Sequence, residues 1–348
     1  MRNIPARRQS FFGATVLSAA LAAALLGAPQ PADAADKVSV QLDYVVRGNH
    51  AMFFVAKDKG YFTKQGIDVT EIRKGTGSPN AMRLVGNGNA EFGFGDLPTL
   101  AVARSQNVPV VALAAVNQRS PLAMISIAKS HQLKKAQDIK GLNFGIHPAG
   151  STYIFFRAFL AANGMTEDDV KKSTVSPPFE NYLLLGRVDV VAGYIDAEVP
   201  ELEAKAGGPG SLSILLGADF GYGVYGSGLF TSEKMIAERP ELVQRFVTAY
   251  LQAFRDVIEK PEEAADIIVR ANPEYASKKD VLVKQLQADI HSTFFSAETK
   301  THGIGSMTKA GWEATTKTLL DQGAMKQPID VAAAFTDRFV IGAQPLKH

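Results

Sequence analysis

The chain has 348 residues, with 37 Lys and Arg against 35 Asp and Glu, a formal net charge of +2, and no Cys. Charge this balanced, with no long acidic or basic block, offers no concentrated basic face for nucleic acid. The lack of Cys excludes disulfides, thiolate metal sites, a Cys nucleophile and a lipid-modified Cys. The 46% hydrophobic and 21% charged content fits a globular chain long enough for two domains.

Residues 1–34 read as a secretory signal. Arg2, Arg7 and Arg8 form a positive front, Phe11 to Leu26 is mostly apolar, and Ala32-Asp33-Ala34 offers small residues for cleavage near Ala34. The apolar stretch is short for a membrane span. Arg7-Arg8-Gln9-Ser10-Phe11-Phe12 also resembles a twin-arginine export signal, so the export route stays open. Residues 1–34 hold three Arg and one Asp, so a mature chain has 37 − 3 = 34 basic and 35 − 1 = 34 acidic residues.

Val38 to Leu42 alternates and predicts a strand whose polar tip runs from Asp43 to His50. A helix over Ala51–Lys59 follows, with Asn49 as its cap and Gly60 closing it. Ile67 to Ile72 is the second strand. Ser78 as cap and Pro79 in first position open the next helix, which Gly86-Asn87-Gly88-Asn89 ends. Glu91 to Phe94 is a short strand, and Asp96 caps the helix after it. Val108 to Val116 and Leu122 to Ala128 are apolar strands joined through Asn117-Gln118-Arg119-Ser120-Pro121. Strands and helices alternating at this spacing predict a parallel sheet covered on both faces, which binds ligands at the carboxyl ends of its strands. The candidate residues are the strand tips: Asp43, Tyr44, Arg47, Asn49, His50, Gly95 and Asp96, then Asn117, Gln118, Arg119 and Ser120.

Composition turns polar at Lys129, and an α/β pattern restarts at Leu142. Helices are expected at Thr152–Ala162, Pro178–Leu185 and Pro200–Ala206, and strands at Lys172–Val175, Val188–Tyr194 and Leu212–Leu216. Tyr222 to Phe230 then leads back to the first block. The tail after Ser232 is helical, its clearest helix starting at Pro240 with an apolar face of Leu242, Phe246, Tyr250 and Phe254. The expected division is 38–128 plus 227–345 for lobe 1 and 129–226 for lobe 2. The tail packs on lobe 1 or, in the alternative, stands as a separate helical domain.

No Walker loop, nucleophile elbow or His-Glu-x-x-His motif occurs. The six His residues do not form a metal spacing, and no cofactor is expected. His50 and His147 sit at strand tips and could meet across a cleft, although His147 is expected to cap a helix or face solvent. Gly150-Ser151-Thr152 opens a helix with two hydroxyls and free backbone donors, an end that attracts electronegative ligand groups. Asp43, Asp96 and Asp196 end three strands. With Tyr44, Phe179 and Tyr194 they suggest a polar, aromatic-lined cleft.

Gln41-Leu42-Asp43-Tyr44, the run Asn49-His50-Ala51-Met52-Phe53-Phe54-Val55-Ala56-Lys57-Asp58-Lys59-Gly60-Tyr61-Phe62, and Gly66-Ile67-Asp68-Val69 carry a resemblance. So do Ala81 to Phe94 and Leu133 to Gly141 followed by Gly150-Ser151-Thr152. The chain resembles the substrate-binding proteins of ABC importers, in the nitrate/sulfonate/taurine and thiamine-precursor (NMT1/THI5-like) branch. The resemblance implies an α/β, two-lobed type II periplasmic binding protein fold with two crossovers. It implies a small-molecule ligand held in the cleft, an inner-membrane permease with a cytoplasmic ATPase as partner, a monomer, and a periplasmic location. By motif position, Asp43, Tyr44, Asn49, His50, Gly95 and Asp96 form one pocket edge, and Gly150, Ser151, Thr152 and Asp196 the other. Hinges are expected near Ala128-Lys129-Ser130 and Gly226-Ser227-Gly228. The chain departs from the thiamine-precursor binders at Tyr44, where Trp is frequent, and from the sulfonate binders at Phe53 and Phe54, which are expected to be core. It lacks the Cys-rich motif of the fungal pyrimidine-making relatives. The expected ligand is a small polar organic molecule, with a sulfonate, a taurine-like compound or a pyrimidine as the options. A sensory binding subunit, or an exported enzyme using Asp43 or His50 as base, is the alternative.

Overall fold

The computed structural model describes residues 1–2, 34–176 and 178–343; the expected signal sequence lies almost wholly outside the described residues. From Asp36 onward the chain forms one compact unit built around two five-stranded sheets. The first contains β1 (Asp36–Gln41), β2 (Ile67–Arg73), β3 (Phe92–Asp96), β4 (Val110–Ala115) and β10 (Ser227–Ser232), in the order β2-β1-β3-β10-β4. The second contains β5 (Leu122–Ile127), β6 (Asn143–Ile146), β7 (Lys171–Thr174), β8 (Val190–Tyr194) and β9 (Leu212–Leu216), in the order β7-β6-β8-β5-β9.

Both sheets are mixed. The expected parallel pairing holds for β1 with β2 and β3, and for β6 with β7 and β8. It fails where the chain changes lobes: β10 runs antiparallel between β3 and β4, and β5 antiparallel between β8 and β9. The expected boundary at Lys129 is therefore corrected. Leu122–Ile127 belongs to the second sheet, and the first crossover is the segment 117–121. The composition change at Lys129 marks only the end of β5. Because β4 is wholly apolar and β5 is apolar except for Ser126, their pattern does not tell which sheet each joins.

The hinge expectation moves with it. The crossovers 117–121 and 222–226 lie side by side, with Gly226 N–H donating to Asn117 O at 2.9 Å, Asn117 N–H to Ser227 O at 3.0 Å and Ser120 N–H to Val224 O at 2.8 Å. A Cβ on Gly226 would lie 2.6 Å from Asn117 Cβ, so the two segments approach this closely only with glycine there. Ala128-Lys129-Ser130 is a turn within the second lobe, and Ser227 and Gly228 are strand residues.

Helices cover both sheets. Those used below are α1 (Ala51–Asp58), α2 (Ser78–Gly86), α3 (Leu97–Ser105), α4 (Ser151–Ala162), α5 (Glu180–Leu184), α6 (Glu198–Ala206), α7 (Pro240–Glu259), α8 (Pro261–Ala271), α9 (Lys279–Ser292) and α10 (Lys309–Asp321). Pro240 and Pro261 each occupy the first turn of their helix, where the missing N–H costs nothing. The apolar face of α7 enters the core of the first lobe. Phe246 stacks on Phe92 of β3 with centroids 3.6 Å apart, and Phe62 stacks on Phe246 at 4.8 Å. Phe53 and Phe54 of α1 lie in the same core, with Leu282 and Leu286 of α9. The separate-domain alternative for the tail is thereby excluded.

Phe246→Ala is expected to lower stability by about 3–5 kcal/mol in urea unfolding. A loss below about 1 kcal/mol would mean that α7 does not share the first lobe's core.

Candidate functional site

The loop after β1 carries Asp43, Tyr44 and Arg47 to the second lobe. The chain turns there through a short 3₁₀ helix, Gly48–His50, before α1. Opposite stand the start of α4, the start of α6 and the loop before α5. Between them lies a cavity of about 30 Å³, lined by Asp43, Tyr44, Arg47, Gly77 and Ser78 on one side and by His147, Gly150, Ser151, Thr152, Phe179, Tyr194 and Glu198 on the other. This volume holds about one water molecule. Pockets for drug-sized molecules run from about 300 to 1,000 Å³, so a larger guest requires the lobes to part.

Arg47 is the centre of the contact. The residue is 9% exposed, and its guanidinium bridges to Glu180 at 3.3 Å and to Glu198 in closer contact. It also lies 4.2 Å from the centroid of the Tyr44 ring. Phe179 meets that ring from the second lobe, with centroids 6.2 Å apart. Glu198 Oε2 accepts from Tyr194 N–H at 2.5 Å. Burial pushes the Glu198 carboxyl up to about 8, against the pull of Arg47 and with Glu180 adding to the rise.

Asp43 is held from behind. Arg47 N–H donates to His50 Nδ1 at 3.2 Å, which leaves the Nε2 hydrogen to donate to Asp43 Oδ1 at 2.9 Å. Ser78 Oγ–H reaches Asp43 Oδ2 at 3.3 Å, and Asp96 N–H donates to Ser78 Oγ at 3.1 Å. On the facing side, Ser151 and Tyr194 share a hydroxyl hydrogen bond of 2.7 Å beside the α4 start. The mouth is a lip where His147 Nε2 meets Thr76 O at 3.2 Å. Gly77 has φ +144°, and a Cβ on it would lie 2.7 Å from Ala149 O across the lip.

The family model described as NMT1/THI5 like matches residues 47–264. The chain belongs to the NMT1/THI5-like family. It is 28% identical to the riboflavin-binding protein RibY of Chloroflexus aurantiacus, over 90% of this chain and 89% of that protein. It is 25% identical to the formylaminopyrimidine-binding protein of Halalkalibacterium halodurans, over 87% and 91%. It is also 23% identical to a 4-amino-5-hydroxymethyl-2-methylpyrimidine phosphate synthase of Legionella pneumophila, over 87% and 92%. Among solved structures, a Bordetella bronchiseptica RB50 protein superposes with a TM-score of 0.71 at 21% identity, covering 88% of this chain and 96% of that one. The fold is thus the two-lobed α/β periplasmic binding protein fold.

In this NMT1/THI5-like chain, several expected residues do not reach the cavity. His50 is buried behind Asp43 against the Phe94 ring, and Asn49 is buried without capping α1. Gly95 abuts Ser78, so Ser78 fills the place expected for the third strand's tip. Asp96 caps α3, its Oδ2 accepting from Thr99 N–H at 2.9 Å and Thr99 Oγ–H at 2.6 Å. Gln118 bonds Ser306 O at 3.0 Å, and Arg119 pairs with Asp219 at 2.7 Å; both belong to the crossover and its rim because that segment is not a strand tip. Asp196 is buried against Asn117 and α9. His147, expected to cap or face solvent, lines the cavity. The expectation missed Gly77, Ser78, Glu180 and Glu198. A Glu at the first turn of α6, two residues beyond the β8 tip at Asp196, was the available signal for Glu198.

Asp96 makes a pH-dependent contribution. Burial raises its carboxyl to about 7, although the bonds from Thr99 pull the other way. A carboxyl raised in the folded state lowers stability as pH climbs from the unfolded value, near 4, through the folded one. Asp96→Asn keeps a capping oxygen and is expected to flatten this slope. The variant's stability relative to the parent should rise between pH 4 and pH 8, by at most about 1.4 kcal/mol for each pH unit crossed. Parallel pH–stability curves from chemical denaturation would contradict it.

Proposed function

We propose that this chain is the extracytoplasmic solute-binding component of an ABC importer, capturing a small polar organic molecule between its lobes and delivering it to a membrane permease. The signal pattern of residues 1–34 supports export, and the family and fold support binding. The observation that carries the ligand class is the pair Tyr44 and Phe179, one aromatic face from each lobe of the same cavity. A planar ring entering as the lobes part would stack between them.

The polar groups suit a neutral ring with mixed edges. Asp43 and Glu198 accept hydrogen bonds, while Ser151, Thr152 and the start of α4 favour an acceptor atom such as a ring carbonyl. Arg47 is already committed to two carboxylates. A sulfonate would therefore find acidic neighbours and no unengaged guanidinium, which argues against the sulfonate and taurine options. The relatives named for riboflavin and a formylaminopyrimidine bind heteroaromatic rings of this kind.

Titration calorimetry with riboflavin, a formylaminopyrimidine, taurine and MOPS tests the reading. Ring compounds are expected to bind, and Tyr44→Ala or Phe179→Ala to weaken them by up to about tenfold each. Thr152→Ala is expected to weaken binding by up to about tenfold while leaving the unfolding of the ligand-free protein unchanged. Binding of taurine or MOPS alone would overturn the ring assignment. Conversion of a bound ring compound, seen by mass spectrometry after long incubation, would favour the exported-enzyme reading.

A further inference from the structure

Asp196 and Asp289 lie outside the cavity, 1% and 0% exposed. Asp196 follows β8 in the second lobe. Asp289 is on α9, whose Leu282 and Leu286 belong to the first lobe's core. Asn117, in the first crossover, joins them: its Nδ2 is 2.6 Å from Asp289 Oδ1 and 3.2 Å from Asp196 Oδ2. Thr293 Oγ–H donates to Asp289 Oδ1 at 2.8 Å. The remaining oxygens, Asp196 Oδ1 and Asp289 Oδ2, are buried with no donor among the described residues, so a single neutral amide, Asn117 Nδ2, holds two buried carboxyl groups together. Two buried carboxylates this close cannot both stay ionised with only neutral donors, and one proton on the pair removes a charge and supplies a donor for an unpartnered oxygen.

We propose that Asp196 and Asp289 form a proton-holding clasp between the lobes, so that closing the cleft takes up a proton and the closed form weakens as pH rises. The proposal rests on the hinged cleft of the preceding reading. The charged groups around the clasp do not replace that proton. Arg47 favours the Asp196 charge through space but is bonded to Glu180 and Glu198, and the charge on Asp196 in turn opposes that on Glu198. The crossover contributes only the neutral Asn117, and Thr293 only a hydroxyl.

Burial holds both carboxyls above the ordinary range, and for Asp289 the neighbouring Asp196 charge adds to the rise. In an open cleft each would meet water and return toward that range. The closed form's advantage is then complete near pH 4 and declines as pH climbs through the raised value. One such proton changes the closed-to-open ratio by up to about tenfold per pH unit inside that window. Gln285 offers an uncharged comparison on the same helix. Its Oε1 accepts from Gly48 N–H at 2.9 Å in the first lobe, and its Nε2 donates to Ala197 O at 2.7 Å in the second.

The Cys-free chain allows a direct test. Spin labels on Asn87→Cys and Lys171→Cys, one exposed position in each lobe, report interlobe distance by pulsed electron resonance on the ligand-free protein from pH 5 to pH 8. The closed population is expected to fall with rising pH. Asp289→Asn, which supplies the missing donor without a proton, should lose about one proton's worth of that slope, and Asp196→Asn the same. The slope left over belongs to Glu198. Gln285→Leu should shift the population at every pH and leave the slope unchanged. An unchanged slope in both Asn variants, or a pH-independent ratio in the parent, overturns the clasp. A single distance at every pH and in every variant would overturn the hinged cleft as well.

Discussion

A guanidinium taken out of water must be paired with opposite charge and hydrogen-bonded, and Arg47 meets two carboxylates and an aromatic face besides. Its partners Glu180 and Glu198 come from the other lobe, while the ring it covers, Tyr44, comes from its own. The same residue's backbone N–H decides which nitrogen of His50 carries the hydrogen, and so orients Asp43. One buried cation thus sets the closed register of the lobes and the donor–acceptor character of the cavity wall. A buried ion pair of this kind is weak evidence for stability, because desolvation offsets most of its attraction. Its use here is geometric, since a small shift of the lobes separates charges that neither lobe alone can satisfy.

Acid surrounds that cation, with Asp43 and Glu198 lining the cavity and Glu180 paired to the guanidinium. A fold by itself does not fix the ligand, which is chosen by the side chains that line the site. In this chain those positions hold Asp43, Glu198 and paired hydroxyls. Backbone donors at the start of α4 and carboxyl acceptors from the facing loop border the same cavity, and the proposed ring ligand rests on that arrangement.

Much of the fold was legible because it rests on local chemistry. Pro240 and Pro261 open helices, Asp96 caps one, and the apolar stripe of α7 finds the core its spacing demands. Leu212–Leu216 is a strand with the expected bounds. Within the cavity, Asp43, Tyr44, Gly150, Ser151, Thr152, Phe179 and Tyr194 were all readable as tips or helix starts. Asn49, His50, Gln118, Arg119 and Asp196 were readable as polar residues near strand ends, and Gly95 as a tip, but not as buried or displaced ones. A polar residue beside a strand tip either faces the cleft or supports a neighbour that does, and spacing is the same in both cases.

The amino-acid sequence by itself determined the two α/β blocks, the return of the chain to the first, the amphipathic helices and the family. These follow from periodicity, caps and local motifs, which act over a few residues. Only the tertiary structure decided which sheet Leu122–Ile127 joins, where the crossovers lie, and which carboxylates meet Arg47. Strand partnership depends on contacts between distant segments: β5 pairs with β8 and β9 through residues 64 to 93 positions apart, from Ser126–Val190 to Ala123–Leu216, and no local pattern records them. The pairing of Asp196 with Asp289 is of the same kind, because a buried carboxyl has no sequence signature apart from the partner that folding brings to it.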